Sequence, residues 1–156
     1  MPLSWETGLA LWTLGLLESD QIPELAGIAM EDGISNPQLT LLAGTVPGDA
    51  TNSPEVFSEV LRELGTPLPS RPAAARVLAR VIASQIAVEQ WDPFEAARRL
   101  GEIPRLVGDD FHEFDRFIYA ESEAESRPGG RAFFAAEIVK EAAKWNSGTV
   151  DRYPNR

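Results

Sequence analysis

No cysteine occurs in the 156 residues of this chain. That excludes disulfides, thiolate nucleophiles, cysteine-held zinc and iron–sulfur clusters together. Histidine occurs once, as His112, so multi-histidine metal sites and the H-E-x-x-H helix are excluded as well. The phosphate-cradling patterns G-x-x-x-x-G-K and G-x-G-x-x-G are missing, and so is the nucleophile elbow G-x-S-x-G. Neither Asp32-Gly33 nor Asp109-Asp110 is followed by the alternating oxygen ligands and distal glutamate of a calcium loop. These absences predict no catalytic residue, no metal site and no cofactor. Long apolar runs are missing too. The stretch Gly8–Leu17 has about half the length of a membrane span, and Glu6 rather than a basic residue precedes it. The expectation is a cytoplasmic chain, intact from its first residue, with no membrane contact. Alternating apolar–polar runs rich in β-branched residues do not occur either, so strands are not expected.

What is present reads as helix. Hydrophobic residues make up 44% and charged residues 24%, the balance of an ordinary globular protein, and the length fits one domain. Twelve prolines and twelve glycines punctuate apolar-periodic segments. Ser4 caps a helix to about Leu17 with Trp5, Leu9, Trp12 and Leu16 on one stripe. Ser19 or Asp20 opens a helix through Met30, and Asn36-Pro37 a short one carrying Leu39, Leu41 and Leu42. Ser53-Pro54-Glu55 starts a helix ending at Gly65. The spacing of Leu78, Ile82 and Ile86 predicts a long central helix over about 72–90, with Arg76 and Arg80 at its solvated edges. Asp92 and Glu95 form a capping-box pattern for a helix stopping at Gly101, and Asp110 and Glu113 repeat it. A last helix spans about 131–145. The predicted fold is all-α: an irregular single-domain bundle of six to eight helices over residues 1–145, with a frayed tail at 146–156.

The net charge is −10, and it is unevenly placed. Residues 1–70 hold ten acids against one base, Arg62, for a net of −9; residues 71–156 hold fourteen acids against thirteen bases, for −1. Such a chain repels phosphate backbones, which argues against nucleic acid as a partner. The plainer meaning of the acidic half is solubility. The sharper one is a negative face that steers a basic protein, with Glu18, Asp20, Glu24, Glu31 and Asp32 as the partner-facing carboxylates.

Three other groups are candidates. His112 stands among Asp109, Asp110, Glu113 and Asp115, a setting that suits a general acid or a ligand pocket; acids opening a helix explain the same residues. Arg98, Arg99 and Arg105 could clamp an anion, or answer a helix dipole. Of the four tryptophans, Trp5, Trp12 and Trp145 fit core stripes, and Trp91, at a helix junction, fits a partner-facing anchor.

Residues 25–100 resemble a family of small all-helical bacterial proteins without a known activity. The similarity is carried by Glu24-Leu25-Ala26-Gly27, by Phe57 to Gly65, by Pro69-Ser70-Arg71 and the following L-A-R-V-I-A, and by Trp91-Asp92-Pro93-Phe94-Glu95-Ala96-Ala97-Arg98-Arg99-Leu100. It implies a helical fold in a bacterial cytoplasm and no particular chemistry. Twelve of the fourteen basic residues are arginine, consistent with a G+C-rich genome. The small, acidic, cysteine-free character also resembles bacterial immunity proteins, which mask a basic partner by charge. The functional expectation is a non-enzymatic interaction protein of that kind. The alternative is an enzyme or small-ligand binder with a pocket near His112 and its neighbouring carboxylates.

Overall fold

Side-chain caps open some helices of this chain and positive-φ glycines close others, in a computed structural model that describes residues 1–46, 48–88 and 91–147. All regular structure among the described residues is helical. The chain divides into two compact units, residues 2–70 and residues 71 onward together with Met1.

In the first unit, α1 (Trp5–Thr13) is capped by Ser4, whose Oγ accepts from the Thr7 N–H at 3.1 Å. It ends four residues before the expected Leu17. Gly15 takes φ +71°, and the Leu16 and Gly15 N–H groups donate to the Leu11 and Trp12 carbonyls at 2.8 and 3.1 Å. That geometry closes a helix with a left-handed residue, and it leaves Leu16 exposed rather than on the apolar stripe. A 3-10 turn, Ser19–Gln21, leads into α2 (Ile22–Glu31). Asn36 caps α3 (Pro37–Ala43) by accepting from the Gln38 N–H at 2.8 Å. On α3 Leu39 and Leu42 turn inward; Leu41, on the other side, is exposed. The helix α4 (Ser53–Leu64) stops at Gly65, which adopts φ +62°, a conformation that costs glycine little and other residues more.

The core of this unit is Ile22, Leu25, Ala26 and Ala29 of α2 against Leu9, Leu39, Leu42, Phe57, Val60 and Leu61. Trp5 and Trp12 pack edge-on against Phe57, with ring centroids 6.0 and 5.0 Å away. Both tryptophans are packing residues, as their seven-residue spacing predicts.

In the second unit, α5 (Arg71–Val88) packs against α6 (Pro93–Glu102), α7 (Pro104–Val107) and α9 (Arg131–Ser147). Leu78, Ile82 and Ile86 are buried together with Ala74, Ala75, Ala79 and Ala83; small side chains at this spacing let helices approach closely. The Asn146 amide donates to the Ala83 carbonyl at 3.3 Å, so α9 continues as helix through Asn146 and Ser147. The rest of the expected tail, 148–156, and the expected end of α5 at 89–90 lie outside the described residues.

Asp92 caps α6, accepting from the Phe94 and Glu95 N–H groups at 2.9 and 3.1 Å. The second pattern, Asp110 to Glu113, does not open a helix. α8 (Asp115–Ser126) begins after it, and turns at 109–110 and 113–114 precede it. The reason is tertiary: Glu113 is taken by Arg76, and Phe111 and Phe114 are buried edge to face at 4.9 Å. Phe114 also meets Trp145 at 5.5 Å.

Candidate functional site

Helix α2 carries acids at both ends. The Glu18 N–H donates to Gln21 Oε1 at 2.9 Å, which anchors the turn before α2 and leaves the Glu18 side chain exposed beside exposed Asp20. Glu24 lies in the first turn of α2, where the helix dipole favours a carboxylate. Glu31 and Asp32 stand at the other end, where it does not, and no basic residue occupies that last turn. Acids at a carbonyl end cost about 0.3–1 kcal/mol. Glu24 and Glu31 are seven residues apart, so they share one exposed face about 10 Å along the axis. Gly27 lies between them with open space where a side chain would be. All five expected partner-facing carboxylates are exposed.

A second acidic ridge lies outside that set of five. Glu55, Glu59 and Glu63 recur every four residues on α4, all exposed. Like charges at this spacing oppose one another by about 0.2–0.5 kcal/mol per pair. They are not among the carboxylates expected from the sequence to face a partner; the signal for them is the S-P-E start followed by glutamate at i+4 and i+8, a spacing that puts all three on one helix face. Asn36 Nδ2 donates to Glu63 Oε2 at 3.0 Å, which sets the end of α4 beside the α2–α3 loop. Only four residues of chain, at most about 14 Å, separate Asn36 from Asp32.

Among the described residues of the 2–70 unit no ion pair forms; every close charge pair lies between residues 76 and 144. The fall in net charge along the sequence, from −9 to −1, therefore coincides with the boundary between the units at residues 70 and 71. Several acids of the second unit, among them Glu95, Glu113, Glu123 and Glu141, are answered by cations of the same unit, whereas those of the first have no cationic partner among the described residues.

The other candidates are more engaged. Arg76 grips Glu113 with two guanidinium nitrogens, Nη2 to Oε1 at 2.6 Å and Nε to Oε2 at 2.8 Å. Hydrogen bonding to Glu113 pushes the Arg76 pKa up, burial opposes that shift, and the carboxylate charge adds to it. Arg76 is thus a clamp rather than the free edge residue expected. Glu113 is drawn away from His112, whose Nδ1 meets Asp115 Oδ2 at 3.3 Å in an exposed pair. Asp109 and Asp110 point to solvent. Among the described residues no three histidine, aspartate or glutamate side chains converge to hold a metal ion.

Arg98 and Arg99 both reach Glu95, at 2.8 and 3.3 Å. The Arg99 guanidinium also lies 4.6 Å over the Trp91 ring, a cation–π arrangement. Both the arginine pair and Trp91, only half-buried, are thereby occupied within the unit; Arg105 is exposed on α7. Among the described residues no helix is long and apolar enough to cross a membrane. Comparison with protein-family models, with curated proteins and with solved structures gives no match for this chain.

Proposed function

We propose that this is a non-enzymatic interaction protein whose acidic 2–70 unit docks a basic protein partner, in the manner of a bacterial immunity protein masking a cationic surface. The observation that carries this reading is the uncompensated charge: nine excess negative charges on one compact unit, with no ion pair among its described residues. Natural surfaces usually intersperse both signs, and acids at the wrong end of α2 and stacked along α4 cost folding energy that a cationic partner would return. Glu18, Asp20, Glu24, Glu31 and Asp32 form the primary contact, and Glu63 extends it toward the α2–α3 loop. Phosphate backbones are repelled by the same charge. The bacterial cytoplasmic setting is the one implied by the resemblance over residues 25–100.

The test is capture from a bacterial lysate on immobilised full-length protein, beside a variant with the five carboxylates changed to glutamine or asparagine. The reading expects a basic protein retained by the wild type at about 50 mM salt, and lost both from the variant and at about 500 mM salt as screening shortens the reach of the charges. Retention that is equal on the variant, or indifferent to salt, contradicts it.

A further inference from the structure

The second unit holds a cleft of about 670 Å³ between α8 and α9, within the usual size range of small-molecule sites. Its apolar wall is unusual for a surface. Tyr119 and Phe133 line it at 62% and 63% exposure, beside buried Phe134. Phe133 and Phe134 meet edge to face at 5.2 Å, so the exposed ring is held in place rather than free to fold away.

The charges around the cleft sort into two kinds. Arg116 and Lys144 both reach Glu141 at 3.4 Å, and Arg127 reaches Glu123 at 3.3 Å. Each of those cations has a partner, although Arg116 and Lys144 share the single carboxylate of Glu141. Glu137 and Lys140 also line the cleft, and among the described residues neither makes an ion pair or a hydrogen bond. They are three residues apart on α9, neighbours on one helix face with Cβ atoms about 5–6 Å apart. Asp115, which also lines the cleft, meets His112 Nδ1 at 3.3 Å, so the carboxylate and the ammonium without any partner among the described residues are Glu137 and Lys140, beside two exposed aromatic rings.

We propose that this cleft binds a small aromatic zwitterion, an aromatic amino acid or dipeptide, with its ammonium on Glu137, its carboxylate on Lys140 and its ring between Tyr119 and Phe133. A purely anionic ligand would leave Glu137 opposed, and a purely cationic one would leave Lys140 opposed. An aliphatic zwitterion would leave the two rings wet.

The experiment is an NMR titration of the full chain, following the amides of α8 and α9. The probes are phenylalanine and phenylalanyl-phenylalanine, with alanine, phenethylamine and 3-phenylpropionate as controls. The expected result is saturable shifts with the two aromatic zwitterions and weaker binding of each control; the tighter of the two names the natural size class. Glu137→Gln is expected to weaken phenylalanine and phenethylamine about tenfold and to spare phenylpropionate, Lys140→Gln to do the reverse for the anion, and Phe133→Ala to weaken all aromatic probes. All three residues are exposed, so the variants keep the fold, which the unperturbed remainder of the spectrum verifies. No saturable shift with either zwitterion at about 10 mM overturns the proposal. So does alanine binding as tightly as phenylalanine, or affinity indifferent to both charge changes.

Discussion

Arg76 and Arg80 sit one turn apart on α5, and their surroundings differ. Arg80 is exposed and, among the described residues, makes no ion pair. Arg76 holds Glu113, whose side chain is only 16% exposed while the Arg76 side chain is 44% exposed. Removing the guanidinium strands a mostly buried carboxylate, and solvent screening of the half-open arginine tempers the loss. Arg76→Gln is expected to cost about 1 kcal/mol and Arg80→Gln within about 0.5 kcal/mol, read from urea denaturation. Because the hydrogen bonds raise the folded pKa of Arg76 above its unfolded value, its contribution is complete below the unfolded pKa and is lost only in strong alkali. The difference between wild type and Arg76→Gln should stay flat from about pH 6 to pH 10. A difference that changes across that window would mean another titrating group governs the pair. On the opposite side of the same helix, Ile82 is almost fully buried. Ile82→Ala should cost about 2–5 kcal/mol, a large share of a typical stability of about 5–15 kcal/mol; a neutral result would put the wrong face of α5 in the core.

At the scale of the element, two glycines in the first unit are expected to respond with opposite signs. Both lie inside helices, where alanine is favoured by about 1 kcal/mol. A Cβ at Gly8 on α1 would overlap the δ-methyls of Leu25 on α2, and Leu25 is fully buried with no room to retreat. Gly8→Ala should therefore destabilise by about 1–3 kcal/mol in spite of propensity. Gly27 on α2 has nothing within 4 Å of the new atom, so Gly27→Ala should stabilise by about 0.4–1 kcal/mol. Thermal unfolding of the two variants checks both signs together. Capping is the other element-scale device. Asp92 satisfies two N–H groups of α6, and Asp92→Ala should cost about 1 kcal/mol.

These cases also mark what could be read from residues in order. Ser4, Asn36, Asp92 and Gly65 act on backbone groups two or three positions away, and the predicted helix ends near them hold. Asp110 and Glu113 have the same local form and do not cap, because the stronger partner for Glu113 is Arg76, thirty-seven residues upstream. The Leu17 end of α1 failed for a nearer reason: Gly15 offered a left-handed stop inside an apolar run that periodicity alone extends. Site residues followed the same division. The acidity of the first 70 residues was legible by counting; that Glu24 and Glu31 share a face follows from their seven-residue spacing on α2. The free Glu137 and Lys140 beside Phe133 were not legible, since their cleft exists only once α8 and α9 are packed.

At the scale of the molecule, the change in net charge and the change of structural unit fall at the same place in the chain. A unit with this excess of one sign works against its own folding through self-repulsion. Raising salt from about 0.01 M to about 0.1 M shortens the Debye length from about 30 to about 10 Å. Over that range the wild type should gain stability, and the variant with Glu18, Asp20, Glu24, Glu31 and Asp32 neutralised should gain less. Equal gains would place the repulsion elsewhere. The central claim is that the 2–70 unit is a docking face for cationic groups, and a titration of isotope-labelled full-length protein with tetralysine tests it most directly. Shift changes should cluster at residues 18–32 and around Glu63, and should collapse as salt is added. Changes spread evenly over the acids of both units, or centred on residues 71–147, would contradict it.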